Sequence, residues 1–322
     1  MPQPLAPVSL AEIQAAQRRL AGLALRTPVV PCESGNPGGE VFLKLENLQS
    51  IGSFKVRPVA NAVLAKPAAS LAKGLYTLSS GNSALALAWM ACRLGVAAAA
   101  VVAEGAPEAK LARLRALGAR IVQVPFAQWW RSVESCGHAG ESGVYVDAVR
   151  DPFALAGDAT VGIEIIEQLP QLDAIFVSVG GGALACGIAC AVRALGLGVP
   201  VIACELEGAQ PLSAALRAGR VVETRSNPGF VSGVGFHALL SEMWPLCREL
   251  LSVSLQVSLA EVAAAIKLLA EQNKVIAEGA GAIPVAAALW GRHPFKRVCA
   301  VVSGGNLGND MLSTILAGGV PP

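Results

Sequence analysis

Residues 174–192, AIFVSVGGGALACGIACAV, form an uncharged stretch with three consecutive glycines at its centre. The first half is rich in β-branched residues, which favour a strand, and the second half is rich in alanine, which favours a helix. The stretch approaches the length of a membrane-spanning helix, but the glycines would weaken such a helix at its middle. A strand, a glycine turn and a helix therefore fit this sequence better than a membrane span.

Short apolar segments alternate with helical segments on both sides of this stretch. The predicted strands are 41–45, 75–78, 96–102, 120–124, 174–179, 201–204 and 297–302, and the predicted helices are 10–25, 56–66, 84–94, 108–117, 160–168, 184–195, 259–272 and 281–289. This alternation indicates parallel sheets covered by helices on both faces, so the predicted fold class is α/β. Such folds place ligand sites beyond the carboxyl ends of their strands. The loops to search follow Leu78, Val179, Cys204 and Val302.

The composition limits the class of protein. The 322 residues are 53% hydrophobic and 15% charged, which is enough for a large buried core and argues against disorder. The net charge of +2 gives no reason to expect a nucleic-acid partner or an anionic membrane surface. The eight cysteines contain no CxxC pair, and the N-terminal residues do not form a secretory signal. We therefore expect a cytoplasmic protein that acts on a small molecule.

The glycine loop at 180–187 has three interpretations. Its backbone N–H groups and the start of the next helix could bind a phosphate group. Gly180, Gly182 and Ala185 also satisfy the pattern G-x-G-x-x-A of dinucleotide-binding folds. Glu205 then ends the next predicted strand, where such folds bind a ribose, so an NAD-dependent dehydrogenase is an alternative function. In the third interpretation, the glycines serve only close packing of helix against sheet.

A second loop, SSGNS at 79–83, also lies between a predicted strand and a predicted helix. Its hydroxyl groups, amide and backbone N–H groups could hold a carboxylate. Serine and asparagine are also common N-caps of helices, so capping alone would explain the same residues. The segment SGGN at 303–306, after the last predicted strand, has the same two interpretations.

Lys55 is an isolated lysine in IGSFKVR (51–57), between Phe54 and Val56. A lysine that is partly removed from water loses its proton more easily and can attack a carbonyl group to form a Schiff base. A Schiff-base lysine, a phosphate-binding loop and a carboxylate-binding loop together indicate pyridoxal phosphate (PLP) chemistry on an amino acid. The combination is more specific than any one of its parts.

Five segments resemble, in order and spacing, the fold-type II PLP enzymes of the serine/threonine dehydratase and serine racemase family. The segments are LKLENLQSIGSFKVR (43–57), SSGN (79–82), VGGGALACGIA (179–189), AEGAGA (277–282) and SGGN (303–306). The resemblance implies a tryptophan-synthase-β-like α/β fold with two open, mostly parallel twisted sheets covered by helices. It also implies a homodimer in which residues 1–73 and 150–322 form a large PLP-binding domain and residues 74–149 a small substrate-side domain.

The resemblance also implies roles for residues around the cofactor. Lys55 is expected to form the Schiff base with PLP and later to move the α-proton of the substrate. Phe54 would lie against the pyridine ring, and Asn82 would hydrogen-bond the 3′-hydroxyl group. The expected phosphate-binding residues are Gly180, Gly181, Gly182 and Ala183. Ser303 would face the pyridine nitrogen, and its neutral hydroxyl group would favour elimination over transamination.

The 79–83 loop is implied to hold the substrate. The expected substrate-binding residues are Ser79, Ser80, Gly81, Asn82 and Ser83. A hydroxyl group at Ser80, on the cofactor face opposite Lys55, could add or remove the proton at Cα from the other side. An amino-acid racemase that uses Lys55 and Ser80 is therefore an alternative activity. A helix-capping role alone would also explain Ser80.

Several positions depart from the usual pattern of this family. Ser83 replaces the usual histidine, and Leu85 stands where a polar residue is common, which makes the expected substrate side smaller and more apolar. Metal-binding relatives have an Asp where this chain has Pro211, near Glu205 and Ala209, so no metal is expected. The expected activity is an ammonia-lyase that converts a 3-hydroxy amino acid to a 2-oxo acid and ammonia. Its substrate would be serine- or threonine-like, or carry a bulkier β-substituent, as in phenylserine or hydroxyaspartate.

Overall fold

The structure is a computed structural model that describes residues 3–34 and 39–322. The strands are β1 (Val29–Pro31), β2 (Glu40–Lys44), β3 (Leu75–Thr77), β4 (Ala98–Ala103), β5 (Arg120–Val124), β6 (Val144–Tyr145), β7 (Ala174–Ser178), β8 (Val201–Leu206), β9 (Ser254–Val257) and β10 (Arg297–Val301). The helices are α1 (Leu10–Leu20), α2 (Val56–Leu64), α3 (Ala68–Leu71), α4 (Asn82–Leu94), α5 (Glu108–Ala116), α6 (Phe126–Glu134), α7 (Pro152–Gln168), α8 (Ala183–Ala194), α9 (Pro211–Ala218), α10 (Trp244–Leu250), α11 (Leu259–Asn273), α12 (Gly279–Trp290) and α13 (Asn309–Leu316). The α/β class is confirmed.

The strands form two open sheets. The larger sheet has the order β1-β2-β10-β7-β8-β9, and only its first pair, β1 with β2, is antiparallel. The smaller sheet has the order β5-β4-β3-β6, and all its pairs are parallel. Two mostly parallel sheets were expected, and the structure confirms them. Their helices cover apolar strands, as parallel sheets require.

The segment from β7 through α8 has the strand, turn and helix that its sequence predicts. Gly182 has a φ angle of +90°, in the left-handed region that favours glycine. A Cβ atom at Gly180 would lie 2.5 Å from the carbonyl oxygen of Gly233. Both glycines are therefore required by the backbone. No helix in the described residues is long and apolar enough to cross a membrane.

Helix α7 differs from its prediction, which placed the helix start at residue 160. It begins at Pro152, with Asp151 as an N-cap that accepts hydrogen bonds from the N–H groups of Phe153 and Ala154. The first half was missed because α7 is buried on nearly all sides, so its sequence lacks an amphipathic period. Residues 128–149 contain most of α6 and the short strand β6, and neither element is among those predicted from the sequence.

The division into a large domain (1–73 and 150–322) and a small domain (74–149) stays a prediction. All strands of the smaller sheet lie within 74–149, and all strands of the larger sheet lie outside that range. Buried side chains also cross the proposed boundary, since Val56 and Val63 of α2 belong to the same apolar cluster as Leu87 of α4.

Candidate active site

A cavity of about 560 Å³ lies between the two sheets, at the carboxyl ends of β3, β7 and β10. Every residue with a predicted catalytic, cofactor or substrate role lines it. These residues are Phe54, Lys55, Ser79, Ser80, Gly81, Asn82, Ser83, Gly180, Gly181, Gly182, Ala183 and Ser303. Three of the four loops selected from the sequence meet here, whereas the loop after β8 does not line the cavity.

Lys55 immediately precedes α2 and extends its amine into this cavity. The amine donates one long hydrogen bond, 3.4 Å to the carbonyl oxygen of Ala148. It also lies 4.7 Å from the centre of the Phe54 ring. Burial lowers the pKa of Lys55, and the negative charges of Asp158 and Asp147 offset part of this effect. Lys55 is thus an amine that loses its proton more easily than an exposed lysine.

Asp158 of α7 is a buried carboxylate near Lys55 that the sequence analysis missed. Neither carboxylate oxygen has a hydrogen-bond partner among the described residues. Burial raises the pKa of Asp158 to about 7, although the positive charges of Lys55 and Arg57 act in the opposite direction. A Cβ atom at Gly187 of α8 would lie 2.7 Å from the Cβ of Asp158, so α8 encloses this side chain.

Asn82, the first residue of α4, is fixed by two side chains from the other end of the chain. Its Nδ2 donates to Oε1 of Glu278 over 2.7 Å. Nδ2 of Asn306 donates to Oδ1 of Asn82 over 2.7 Å and also to the carbonyl oxygen of Ile51 over 2.9 Å. Burial raises the pKa of Glu278 to about 7, while the hydrogen bond from Asn82 lowers it. The sequence analysis gave neither Glu278 nor Asn306 a role, although both lie in segments that carry the family resemblance.

The turn at 180–183 has the shape of an anion cradle. A Cβ at Gly181 would lie 3.0 Å from the side chain of Val149, and one at Gly182 would lie 2.7 Å from Sγ of Cys247. Side chains at these positions would therefore displace their neighbours, and glycine leaves the backbone N–H groups at the start of α8 accessible from the cavity. A phosphate group fits this end of the cavity because it is an anion with several acceptor oxygens.

The comparisons with known proteins identify the family of this chain. The family model described as pyridoxal-phosphate dependent enzyme matches residues 20–304. The chain belongs to this family. PLP is therefore its cofactor, and the amine of Lys55 and the anion cradle fit the aldehyde and phosphate groups that PLP carries.

Individual relatives and solved structures cover most of this PLP enzyme. It is 33% identical to the L-threonine ammonia-lyase of Thermotoga maritima, over 97% of this chain and 79% of that one. It is also 33% identical to the serine racemase of Arabidopsis thaliana, over 92% of each chain. The structure of maize serine racemase matches with a TM-score of 0.87 and 28% identity, over 97% of this chain and 98% of that chain. The fold-type II resemblance is therefore confirmed.

The alternative of an NAD-dependent dehydrogenase is wrong for this PLP enzyme. Glu205, its expected ribose-binding acid, is buried and does not line the cavity. The Glu205 carboxylate instead accepts hydrogen bonds from the N–H groups of Leu212 and Ser213, at 2.8 and 2.9 Å, at the start of α9. The hydroxyl groups of Ser213 and Ser254 also donate to it, over 2.5 and 2.7 Å. Four hydrogen-bond donors thus occupy both oxygens of the Glu205 carboxylate.

Proposed function

We propose that this PLP enzyme is an ammonia-lyase that converts a 3-hydroxy amino acid to a 2-oxo acid and ammonia. The observation that carries the proposal is the meeting of Lys55, the 79–83 loop and the neutral hydroxyl group of Ser303 in one cavity. The name of the Thermotoga maritima relative, an L-threonine ammonia-lyase, supports the same reaction class. The elimination releases an enamine. This enamine then hydrolyses in water to the 2-oxo acid and ammonia.

Each part of the cavity has a task in this reaction. Bound PLP supplies an electron sink that acidifies the α-proton of the amino acid. Lys55 holds the cofactor and removes that proton, for which its lowered pKa suits it. Asn82 begins α4, and the N–H groups at the start of this helix, with Ser79 and Ser83, hold the substrate carboxylate. The oxygen of Ser79 already accepts the N–H of Gly81 over 3.1 Å, which fixes the loop.

Ser303 selects elimination over transamination in this proposal. The residue follows β10, is buried, and lines the cavity. Its carbonyl oxygen accepts the N–H of Phe54 over 2.9 Å, which ties the segment before Lys55 to the end of β10. Its neutral hydroxyl group would not keep a proton on the ring of bound PLP as a carboxylate would.

The racemase alternative remains a second candidate because Ser80 is suitably placed. Ser80 lines the same cavity as Lys55, and its hydroxyl group makes no hydrogen bond to any described residue. It is therefore free to move a proton to or from Cα. Ser80→Ala should remove racemisation and turnover of D-substrates while L-elimination continues. Equal loss of both activities would instead assign Ser80 a structural role.

The experiment that tests the proposed function combines a spectrum with an assay. The purified protein should show an absorption band of bound PLP that borohydride abolishes, and mass spectrometry should find the reduced cofactor on Lys55. It should then release 2-oxo acid from an L- or D-3-hydroxy amino acid. A cofactor attached to another residue, or a loaded protein that eliminates no 3-hydroxy amino acid, would contradict the proposal.

We also propose that the enzyme is a cytoplasmic homodimer without a divalent cation at Glu205. All eight cysteines are free thiols, which supports a reducing compartment. The hydrogen bonds that engage both oxygens of Glu205 support the absence of a cation there. The homodimer rests on the family resemblance, and light scattering of the purified protein tests it.

A further inference from the structure

Helix α6 forms an aromatic wall of the cavity. Phe126, Trp129, Trp130 and Val133 all line the cavity, and their spacing of three, four and seven residues from Phe126 places them on one face of the helix. The rings of Phe126 and Trp129 lie 5.8 Å apart, and those of Trp129 and Trp130 lie 6.1 Å apart. We call these four residues the aromatic wall.

The loop before α10 extends the aromatic wall from the opposite side. The His237 ring lies 4.6 Å from the ring of Trp130, at an angle of 49°. Phe236 and Leu240 of the same loop also line the cavity, as does Leu85 of α4. Side chains from three elements thus surround one part of the cavity with aromatic and apolar groups.

The aromatic wall lies beside the proposed reaction centre. A smaller cavity of about 290 Å³ shares three lining residues with the main one, namely Ser80, Phe126 and Trp129. The hydroxyl group proposed to act on Cα therefore adjoins α6. With the substrate carboxylate at the 79–83 loop and Cα at Lys55, the aromatic wall is the apolar face that adjoins the substrate loop and is suited to receive the β-substituent.

Charged side chains also line the cavity, beside its aromatic and apolar part. Arg150 is paired with Asp147, 2.7 Å from Nε to Oδ2, and its NH2 group donates to the carbonyl oxygen of Val133. Lys110 and Arg113 of α5 also line the cavity. The aromatic wall offers an aromatic substituent ring contacts that a carboxylate cannot make, whereas these cations would attract a carboxylate, so 3-hydroxyaspartate is the informative competitor.

We propose that the β-substituent of the substrate is an aromatic ring, so that the enzyme prefers a 3-aryl-3-hydroxy amino acid such as phenylserine. This inference rests on the proposed ammonia-lyase function. The Cα–H and Cβ–O bonds break, and the hydroxyl group leaves with a proton as water. The enamine that results takes up a proton at Cβ and becomes an imine, and hydrolysis of this imine consumes one water and releases ammonia. The products are phenylpyruvate and ammonia, with no net oxidation or reduction.

The first experiment compares kcat/KM of the PLP-loaded enzyme for three substrates: phenylserine, threonine and 3-hydroxyaspartate. We expect phenylserine to exceed threonine by about tenfold or more, because the wall stabilises a ring through contacts that a methyl group cannot make. A preference for threonine or for 3-hydroxyaspartate would overturn this inference and leave the ammonia-lyase function intact. Elimination from none of the three would overturn the proposed function as well.

The second experiment uses a matched pair of tryptophan variants. Trp130→Leu removes one ring of the aromatic wall, and Trp290→Leu removes an exposed ring at the end of α12 outside the cavity. We expect Trp130→Leu to lower kcat/KM for phenylserine about tenfold more than for threonine. Trp290→Leu should leave the ratio of the two values unchanged. Equal losses on both substrates in Trp130→Leu would overturn the inference.

A binding measurement separates ring recognition from turnover. L-phenylalanine carries the ring but no β-hydroxyl group, so it cannot undergo the elimination. It should quench the tryptophan fluorescence of the loaded enzyme at lower concentration than L-alanine does, and Trp130→Leu should weaken its binding about tenfold. Equal affinities for phenylalanine and alanine would overturn the inference.

Discussion

Two groups of charged side chains lie near the start of α2, and they differ in how their charges are paired. The first, which we call the Arg57 network, consists of Lys44, Glu46, Arg57 and Glu164. Arg57 contacts both carboxylates at 2.8 Å, and the amine of Lys44 lies 2.6 Å from Glu164. The second, the Lys55 pair, consists of Lys55 and Asp158. Lys55 stands only two residues before Arg57 in the chain. Yet neither Lys55 nor Asp158 has an ion-pair partner or a short hydrogen bond among the described residues.

The difference shows what each group does. In the Arg57 network two positive charges meet two negative charges, and the Thr27 hydroxyl group donates to Glu46 over 2.6 Å. Burial raises the pKa of Glu46, but the charge and hydrogen bonds of Arg57 outweigh it, so the net pKa is lowered. The charges of Glu46 and Arg57 are thus fixed, which suits a structural role. In the Lys55 pair the pKa values move towards neutral pH, which suits proton transfer.

The largest effect is expected from breaking the Lys55 pair at its amine. Lys55→Ala should lower elimination of any substrate by about 10³-fold or more, because the proton at Cα loses its base. In the cofactor-free proteins its melting temperature should stay close to that of the parent, since the amine has no strong partner among the described residues to lose. Lys73→Ala, which changes an exposed lysine, is the matched control. Elimination that survives in Lys55→Ala would contradict the assignment.

The next largest effect is expected from breaking the Arg57 network. Arg57→Leu leaves the carboxylates of Glu46 and Glu164 buried without their partner and should cost about 3–5 kcal/mol of unfolding free energy. Urea unfolding measures this change, and Arg18→Leu on the exposed face of α1 should change the free energy little. A loss of activity in Arg57→Leu without a loss of stability would show that the network takes part in the chemistry.

The pH dependence of stability tests the second member of the Lys55 pair, through the variant Asp158→Asn. Burial raises the pKa of Asp158 to about 7, so the folded state binds a proton more tightly than the unfolded chain. The protonated Asp158 carboxyl group therefore contributes stability at low pH, and this contribution is lost as the pH rises from about 4 to 7. Lys55 and Arg57 oppose this shift, and Glu46 adds to it.

In urea unfolding, the parent should therefore lose stability with rising pH more steeply than Asp158→Asn does. The difference in slope should approach about 1.4 kcal/mol per pH unit for one proton. The exposed control Asp310→Asn should follow the parent. Identical slopes for the parent and Asp158→Asn would show that the pKa of Asp158 is the same in the folded and the unfolded protein.

The smallest effect is expected at Glu278. Glu278→Gln keeps an oxygen that can accept the hydrogen bond from Asn82, so activity at pH 6 should fall by about threefold or less. Burial raises the pKa of Glu278 to about 7, so at pH 8 the parent has gained a charge that the variant cannot acquire. The ratio of kcat/KM between parent and variant should therefore change between pH 6 and pH 8. A constant ratio would mean that the charge of Glu278 does not matter.

The sequence predicted those parts of the site that depend on local motifs. Lys55, the 79–83 loop and the glycine turn each stand in a short segment whose residue types indicate their chemistry. Asp158 could not be found in this way, because its significance comes from α8 and Lys55, which approach it only in the folded chain. The aromatic wall was missed for another reason. The helix that carries it has only nine residues and is not among the helices predicted from the sequence.

The position of β10 in the larger sheet has a consequence for how the chain is made. This strand lies between β2 and β7, and its Val298 pairs with both Val41 and Ala174. During translation, more than half of the sequence is synthesised after β2 before its parallel neighbour β10 leaves the ribosome. A nascent chain that stalls before residue 297 would expose two unpaired strand edges, and it would be prone to aggregation until translation resumes.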